Sequence, residues 1–203
     1  MRILFTGGGT GGHIFPIIAV IRELKRIAEE ERILDLEIFY LGPDDFAREQ
    51  FSDESVISIF FKTGKWRSYF SFMNLFDALI TAQAIVRALW SMFFIMPDVI
   101  FSKGGYGAFP AVIAAWVLRI PLIIHESDAV PGRVNRFSQR FAKRIAIAFP
   151  GAHDFFPKEK TAFTGVPIRS RILGGSKEEA RDAFNIYSDA PVIGITGSSQ
   201  GAE

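Results

Sequence analysis

The sequence predicts an α/β chain built on a doubly wound parallel sheet, and three observations carry that prediction. Short apolar runs of strand length alternate with longer helical patterns along the chain. Two of those runs open into glycine-rich turns that lead directly into a helix, at residues 7–12 and 104–107. The 203 residues, 49% of them hydrophobic, hold enough apolar side chains to bury a sizeable core on both faces of such a sheet.

The first strand is residues 2–6, and it runs into Gly7-Gly8-Gly9-Thr10-Gly11-Gly12-His13. A helix follows over residues 14–31, with Ile17, Val20, Ile21 and Leu24 on one face and Arg22, Glu23, Lys25, Arg26 and Glu29 on the other. Pro16 is tolerated because N–H groups in a first turn have no internal acceptor. Those free donors, with glycines that let the backbone approach a ligand, suit an anion and most often a phosphate. The plainer alternative is a turn that only packs strand on helix, for which two glycines would suffice.

Gly7, Gly9 and Gly12 satisfy G-x-G-x-x-G, but a dinucleotide site also needs an acid at the end of the second strand. That strand, residues 35–41, ends in Leu41-Gly42-Pro43, with Glu37 inside it and Asp44 beyond the proline. A dinucleotide-dependent oxidoreductase is therefore disfavoured. A P-loop is disfavoured too, since His13 stands where Lys would follow the last glycine.

Residues 56–61 read as the third strand, followed by the basic, aromatic loop Lys62-Thr63-Gly64-Lys65-Trp66-Arg67. A long helical region over residues 68–96 carries Phe72, Leu75, Phe76, Leu79, Val86, Leu89, Trp90 and Phe93, most of them expected to be buried against the sheet. Trp66, Tyr69, Phe70, Phe72 and Phe76 beside Lys62, Lys65 and Arg67 exceed what one face can bury, a pattern suited to anionic lipid headgroups. Asp77 and Arg87 leave no uncharged run of spanning length, and no signal peptide precedes the first strand.

The fourth strand, residues 98–102, enters Lys103-Gly104-Gly105-Tyr106-Gly107 and an apolar helix over residues 108–118. The fifth, residues 121–124, leads to His125-Glu126-Ser127-Asp128, a helix at residues 133–142 and a sixth strand at 143–148. Ligands of parallel sheets sit outside the carboxyl ends of the strands, so the loops at 7–13, 103–107 and 125–128 should share one rim. A last strand at 161–164 precedes Gly165-Val166-Pro167, a turn or hinge. Ser176 with Glu179 forms a capping box for a helix ending at Phe184. Residues 191–196 then read as a strand opening into Gly197-Ser198-Ser199-Gln200-Gly201, which is how a second nucleotide-binding unit begins.

Net charge of +1 argues against nucleic acid as an electrostatic partner. With no cysteine, three scattered histidines and no D-x-D triplet, neither a metal nor another cofactor is expected.

Gly7-Gly8-Gly9-Thr10-Gly11-Gly12-His13-Ile14-Phe15-Pro16, Gly104-Gly105-Tyr106, His125-Glu126-Ser127-Asp128, Phe149-Pro150-Gly151, Gly165-Val166-Pro167-Ile168-Arg169 and Gly197-Ser198-Ser199-Gln200-Gly201-Ala202 occur in the order seen in the MurG family, and the chain resembles that family throughout. Its members transfer N-acetylglucosamine from UDP-N-acetylglucosamine to undecaprenyl-diphosphate-linked N-acetylmuramyl-pentapeptide, converting lipid I to lipid II in peptidoglycan synthesis. The resemblance implies a Rossmann-like GT-B enzyme, inverting and metal-independent. Residues 1–164 would be the acceptor-binding, membrane-associating domain, and residues 165–203 the hinge and first elements of a truncated donor domain.

By the same resemblance, His13 is the candidate base and Tyr106 orients the acceptor. Thr10, Gly11, Gly12, Asp128, Arg169 and Ser199 contact the donor or a diphosphate, and Gly104, Gly105 and Glu126 belong to the acceptor loop. Lys65, Trp66, Arg67, Phe72 and Phe76 form a patch on anionic inner-membrane lipids, at the cytoplasmic side of the bacterial plasma membrane. Two departures stand out: Asp128 replaces the frequent asparagine, and Ser198 replaces a glycine of the usual Gly-Gly-Ser-Gln. The resemblance implies that these 203 residues alone do not turn over, unless a separate chain supplies the donor half. The alternative is a non-catalytic module that binds lipid diphosphates.

Overall fold

The computed structural model describes residues 1–44, 47–64, 73–187 and 191–194. Its seven strands are β1 (Arg2–Thr6), β2 (Glu37–Gly42), β3 (Ile57–Phe60), β4 (Val99–Ser102), β5 (Leu122–Glu126), β6 (Arg144–Ile147) and β7 (Thr161–Phe163). They form one parallel sheet in the order β3-β2-β1-β4-β5-β6-β7. The chain steps outward from β1 to β3, crosses back, and continues from β4 on the other side of β1. The strand order therefore reverses between β1 and β4, whose carboxyl ends pair through Thr6 and Ser102.

Side chains alternate across the sheet and divide the core in two. Ile3 and Phe5 pack with Ile14, Ile17, Ile21, Tyr40 and Phe51, beneath α1 (Gly11–Glu30) and α2 (Ala47–Phe51). Leu4 points the other way, with Ile100, Ile124 and Ile145, beneath α3 (Met73–Ile95) and α4 (Phe109–Leu118). Each fully buried side chain of this size contributes about 1.5–3 kcal/mol. The two remaining α-helices among the described residues are short: α5 (Arg133–Ser138) and α6 (Lys177–Ala183).

Four elements differ from the sequence expectation. The first helix begins at Gly11 and so takes His13 into its first turn. α5 stops at Ser138, where Phe141 and Ala142 turn back onto the Ser138 carbonyl and Lys143 joins the Leu122 carbonyl. The short α2 carries too few turns to show a period. Residues 191–194 are not a strand, and no neighbouring strand pairs with them among the described residues.

The long helix overturns the expectation that most of its apolar positions are buried. Ala84, Ala88 and Met92, one helical face, are the buried ones and pack closely with α4 because alanine keeps the helix axes near. The opposite face is exposed: Phe76 67%, Leu79 58%, Val86 67%, Trp90 69% and Phe93 62%, which no element of the described chain covers. Phe76–Ile95 is long and apolar enough, by length and composition, to cross a membrane despite Asp77 and Arg87. It also connects β3 to β4 of the same sheet and is pinned to the core along the alanine face. Lys65, Trp66, Arg67, Phe72 and Ser199 lie outside the described residues.

Candidate active site

Reversal of strand order between β1 and β4 opens a crevice at their carboxyl ends, and two glycine loops meet there. Gly104 and Gly105 take φ of 82° and 79°, the region that favours glycine. A Cβ at Gly105 would lie 3.0 Å from the Gly8 Cα and 2.8 Å from Nε2 of His13. The loops at residues 7–12 and 103–107 are therefore in contact, with the His13 ring between them.

The histidine is held from its other side. Thr10, the N-cap of α1, makes no side-chain capping bond, because its Oγ1 lies 2.9 Å from Nδ1 of His13. His13 and Ile14 N–H donate to the Thr10 carbonyl, which leaves the N–H groups of Gly11 and Gly12 without an intrahelical acceptor. Burial lowers the His13 pKa below 6.5, Lys103 lowers it further, and Asp128 and Glu126 oppose them. The imidazole is thus neutral at neutral pH and can accept a proton.

A third loop enters from β5. Glu126, assigned to the acceptor loop, is 3% exposed, and its carboxylate accepts from Asp128 N–H at 2.9 Å, Gly132 N–H at 3.0 Å and Asn135 Nδ2 at 3.0 Å. The residue braces the loop from inside because three donors converge on it. Bracing leaves Asp128 exposed at the rim. His125 faces away: it is buried, and its Nε2 donates to the Gly165 carbonyl at 3.0 Å. Arg169 comes back over the site from beyond β7, its guanidinium 4.0 Å from the ring centroid of Phe15, two residues after His13.

Tyr106 lies on the same loop as Gly105 and lines two hollows on the α3 side. One, about 1240 Å³, also holds Pro43, Arg48, Phe60, Lys62 and Arg87, and the other, about 490 Å³, is walled by Ala78, Ile85, Phe109, Val134 and Phe137. The structure thus brings together Thr10, Gly11, Gly12, His13, Gly104, Gly105, Asp128 and Arg169, and sets Phe76 apart on the exposed α3 face. Two residues that the sequence did not single out complete the site. Lys103 is 3% exposed, and its Nζ donates to the Ser127 hydroxyl. Asn135 carries the loop bond to Glu126 from α5. Only the position of Lys103 at a strand end ahead of two glycines hinted at its place.

Among the described residues no group of His, Asp and Glu could hold a metal ion. Free first-turn N–H groups at a crevice, a neutral imidazole and a nearby guanidinium suit a reaction in which a hydroxyl gives up a proton beside a diphosphate.

Known proteins give the same direction. Residues 3–147 match the glycosyltransferase family 28 N-terminal domain. The chain is 36% identical, over all of its 203 residues, to "UDP-N-acetylglucosamine--N-acetylmuramyl-(pentapeptide) pyrophosphoryl-undecaprenol N-acetylglucosamine transferase 3" of Bacillus thuringiensis (strain Al Hakam), covering 56% of that protein. It is 37% identical over 202 residues to the like-named transferase of Lachnospira eligens, 99% of this chain and 55% of the relative. The chain spans about half the length of the curated relatives it matches. Among solved structures, Acinetobacter baumannii MurG superposes with a TM-score of 0.63 at 27% identity, covering 83% of this chain and 46% of that one. The UDP-GlcNAc 2-epimerase of Neisseria meningitidis shares the fold at TM-score 0.63 and 15% identity, covering 93% of this chain and 55% of the epimerase. With that match over most of its described sheet, the chain belongs to glycosyltransferase family 28, through the N-terminal domain of that family.

Proposed function

We propose that this chain is the acceptor-binding half of an inverting, metal-independent transferase that moves N-acetylglucosamine from UDP-N-acetylglucosamine to undecaprenyl-diphosphate-linked N-acetylmuramyl-pentapeptide. The observation that supports it most is the His13 arrangement: a neutral imidazole between two touching glycine loops, beside first-turn N–H groups that have no acceptor in their helix. The names of the relatives supply the substrates.

In this reading Gly11 and Gly12 N–H groups, with the positive end of α1, receive the diphosphate. His13 takes the proton from the attacking sugar hydroxyl as the bond from the anomeric carbon to UDP breaks. Thr10 fixes the ring, Gly104 and Gly105 shape the acceptor side, and Tyr106 orients the acceptor from the same loop. Asp128, Arg169 and Ser199 are assigned to the donor or diphosphate. Residues 1–164 act as one domain, with the hinge from Gly165, and donor contacts beyond Arg169 come from the donor half, carried by the same polypeptide or a separate chain. Alone, these 203 residues release no UDP.

The exposed α3 face, with Arg87 on it and Lys62 nearby, supports a peripheral seat on anionic lipid at the cytoplasmic side of the bacterial plasma membrane. A non-catalytic module holding lipid diphosphates would share the rim and the face but would not need a neutral His13.

Titration of the 15N-labelled chain with farnesyl diphosphate tests the reading. The Gly11 and Gly12 amide resonances should move first; saturation elsewhere, or no shift at these amides, would refute it. Flotation with anionic vesicles tests the lipid contact: Trp90→Glu with Phe93→Glu should abolish retention, and an unretained wild type removes the membrane seat.

A further inference from the structure

Lys103 follows the last residue of β4, and its own N–H donates to the Thr6 carbonyl at 2.9 Å. That bond fixes the residue at the crevice where the strand order reverses. Its side chain is 3% exposed, yet among the described residues it forms no ion pair. Among the described residues the one polar partner of its ammonium is the Ser127 hydroxyl, so a group with three donor hydrogens is satisfied once there. The two anions that act on it do not form an ion pair with it: the Glu126 carboxylate accepts three N–H groups, and Asp128 lies exposed at the rim. A buried cation without a paired anion is strongly unfavourable, and an apolar side chain of the same length would fit the site better.

The position of that charge supplies the missing anion. A Cβ at Gly7 would lie 3.5 Å from the Cβ of Lys103 and 3.5 Å from the Cβ of His13, so the two residues flank one glycine of the loop. Lys103 therefore packs at the Gly7 end of the loop whose far end presents the acceptor-free N–H groups of Gly11 and Gly12. We infer that Lys103 is the buried counter-charge for the diphosphate received at this rim, a positioning residue that acts from the Gly7 side on both the ligand and His13. The inference rests on the diphosphate reading of the rim and adds to it a charge that the loop alone does not contain.

Electrostatics around the residue agree. Burial lowers the Lys103 pKa below 10.5, against the pull of Glu126 and Asp128. The titratable groups facing it are His13 from α1, His125 and Glu126 from β5, and Asp128 from the following loop. A diphosphate bound at the loop would raise the proton affinity of Lys103 and complete the pairing. Before it arrives, the same cation disfavours protonation of His13 and keeps the base available.

The test uses the 203-residue chain, with Lys103→Met removing the charge at nearly constant length and Lys103→Gln as a second, polar variant should the first not fold. Calorimetric titrations with farnesyl diphosphate and with UDP measure diphosphate affinity, and NMR titration of the His13 ring measures its pKa. Lys103→Met should weaken farnesyl diphosphate by about tenfold to a hundredfold, the usual weight of a charged contact. The His13 pKa should rise, and the melting temperature should rise as well, because an unpaired buried charge is gone. Equal weakening of UDP extends the counter-charge to both diphosphates, and weakening of farnesyl diphosphate alone confines it to the acceptor; either supports the inference. Unchanged affinity for both ligands with an unmoved His13 titration overturns it, and a merely structural lysine would instead lower the melting temperature and leave both readouts in place. A wild type that binds neither ligand refutes the diphosphate reading itself, a result visible before any variant is made.

Discussion

Gly105→Ala should damage both the fold and the site, and the damage can be estimated from its surroundings. Gly105 has φ 79° and ψ 164°, a region essentially reserved for glycine, where a side chain stores about 1–3 kcal/mol of strain. The added methyl would also lie 2.8 Å from the His13 ring and 3.0 and 3.2 Å from the Gly8 backbone. Two of those three contacts are main chain and cannot swing aside, so overpacking adds about 1–3 kcal/mol. The total, about 2–6 kcal/mol, is a large share of the roughly 5–15 kcal/mol that holds a domain together. Urea denaturation followed by far-UV circular dichroism measures it. Gly165→Ala separates the two contributions, because Gly165 has φ 76° but nothing within 4 Å of the new methyl. Gly151→Ala, with neither feature, serves as the neutral control and should stay within about 0.5 kcal/mol of wild type. If Gly105→Ala unfolds no earlier than Gly165→Ala and leaves the His13 resonances in place, the loops do not touch as described.

Two further changes follow from the buried polar groups. His13 and His125 are both held below 6.5, chiefly by burial, so the unfolded chain takes up protons first as the pH falls. Stability from these groups is complete above about pH 6.5 and is lost as the pH drops toward their folded values; a urea midpoint that does not fall between about pH 7 and 5.5 contradicts this. Glu126→Gln replaces one acceptor oxygen by a donor that faces other donors. It should destabilise the chain by about 3 kcal/mol and speed amide exchange at Asp128 and Gly132, whereas unaltered protection there would show that the carboxylate is no brace.

The sheet was legible because its signal is periodic. Apolar runs such as Ile3-Leu4-Phe5 and Leu122-Ile123-Ile124 are too short for helices and too apolar for edges, and both became inner strands. The Ser176 cap was legible for a similar reason: its bond to the Glu179 N–H, 3.2 Å, depends only on residues three apart. What failed depended on distant partners. Residues 191–194 have strand composition but no strand beside them among the described residues, and α3 has an apolar stripe that the sequence assigns to the core although its alanines fill the contact. Glu126 and Lys103 look alike in sequence, as charged residues ending strands. Only packing distinguishes a carboxylate met by three N–H groups from an ammonium met by one hydroxyl.

Gly165 is fastened at both ends of its peptide: its carbonyl to His125, and its N–H to the Ile147 carbonyl at 3.3 Å. The fulcrum for any swing of the following chain therefore lies after Gly165, within the sheet's own frame. Only a few residues later, Arg169 rests on Phe15 and works as a latch onto α1. Undoing such a stack takes about 0.5–2 kcal/mol, little enough for thermal motion to open it often. An anion arriving beside His13 would compete with Phe15 for the same guanidinium, so occupancy of the crevice and the angle of the chain beyond it are coupled through one side chain.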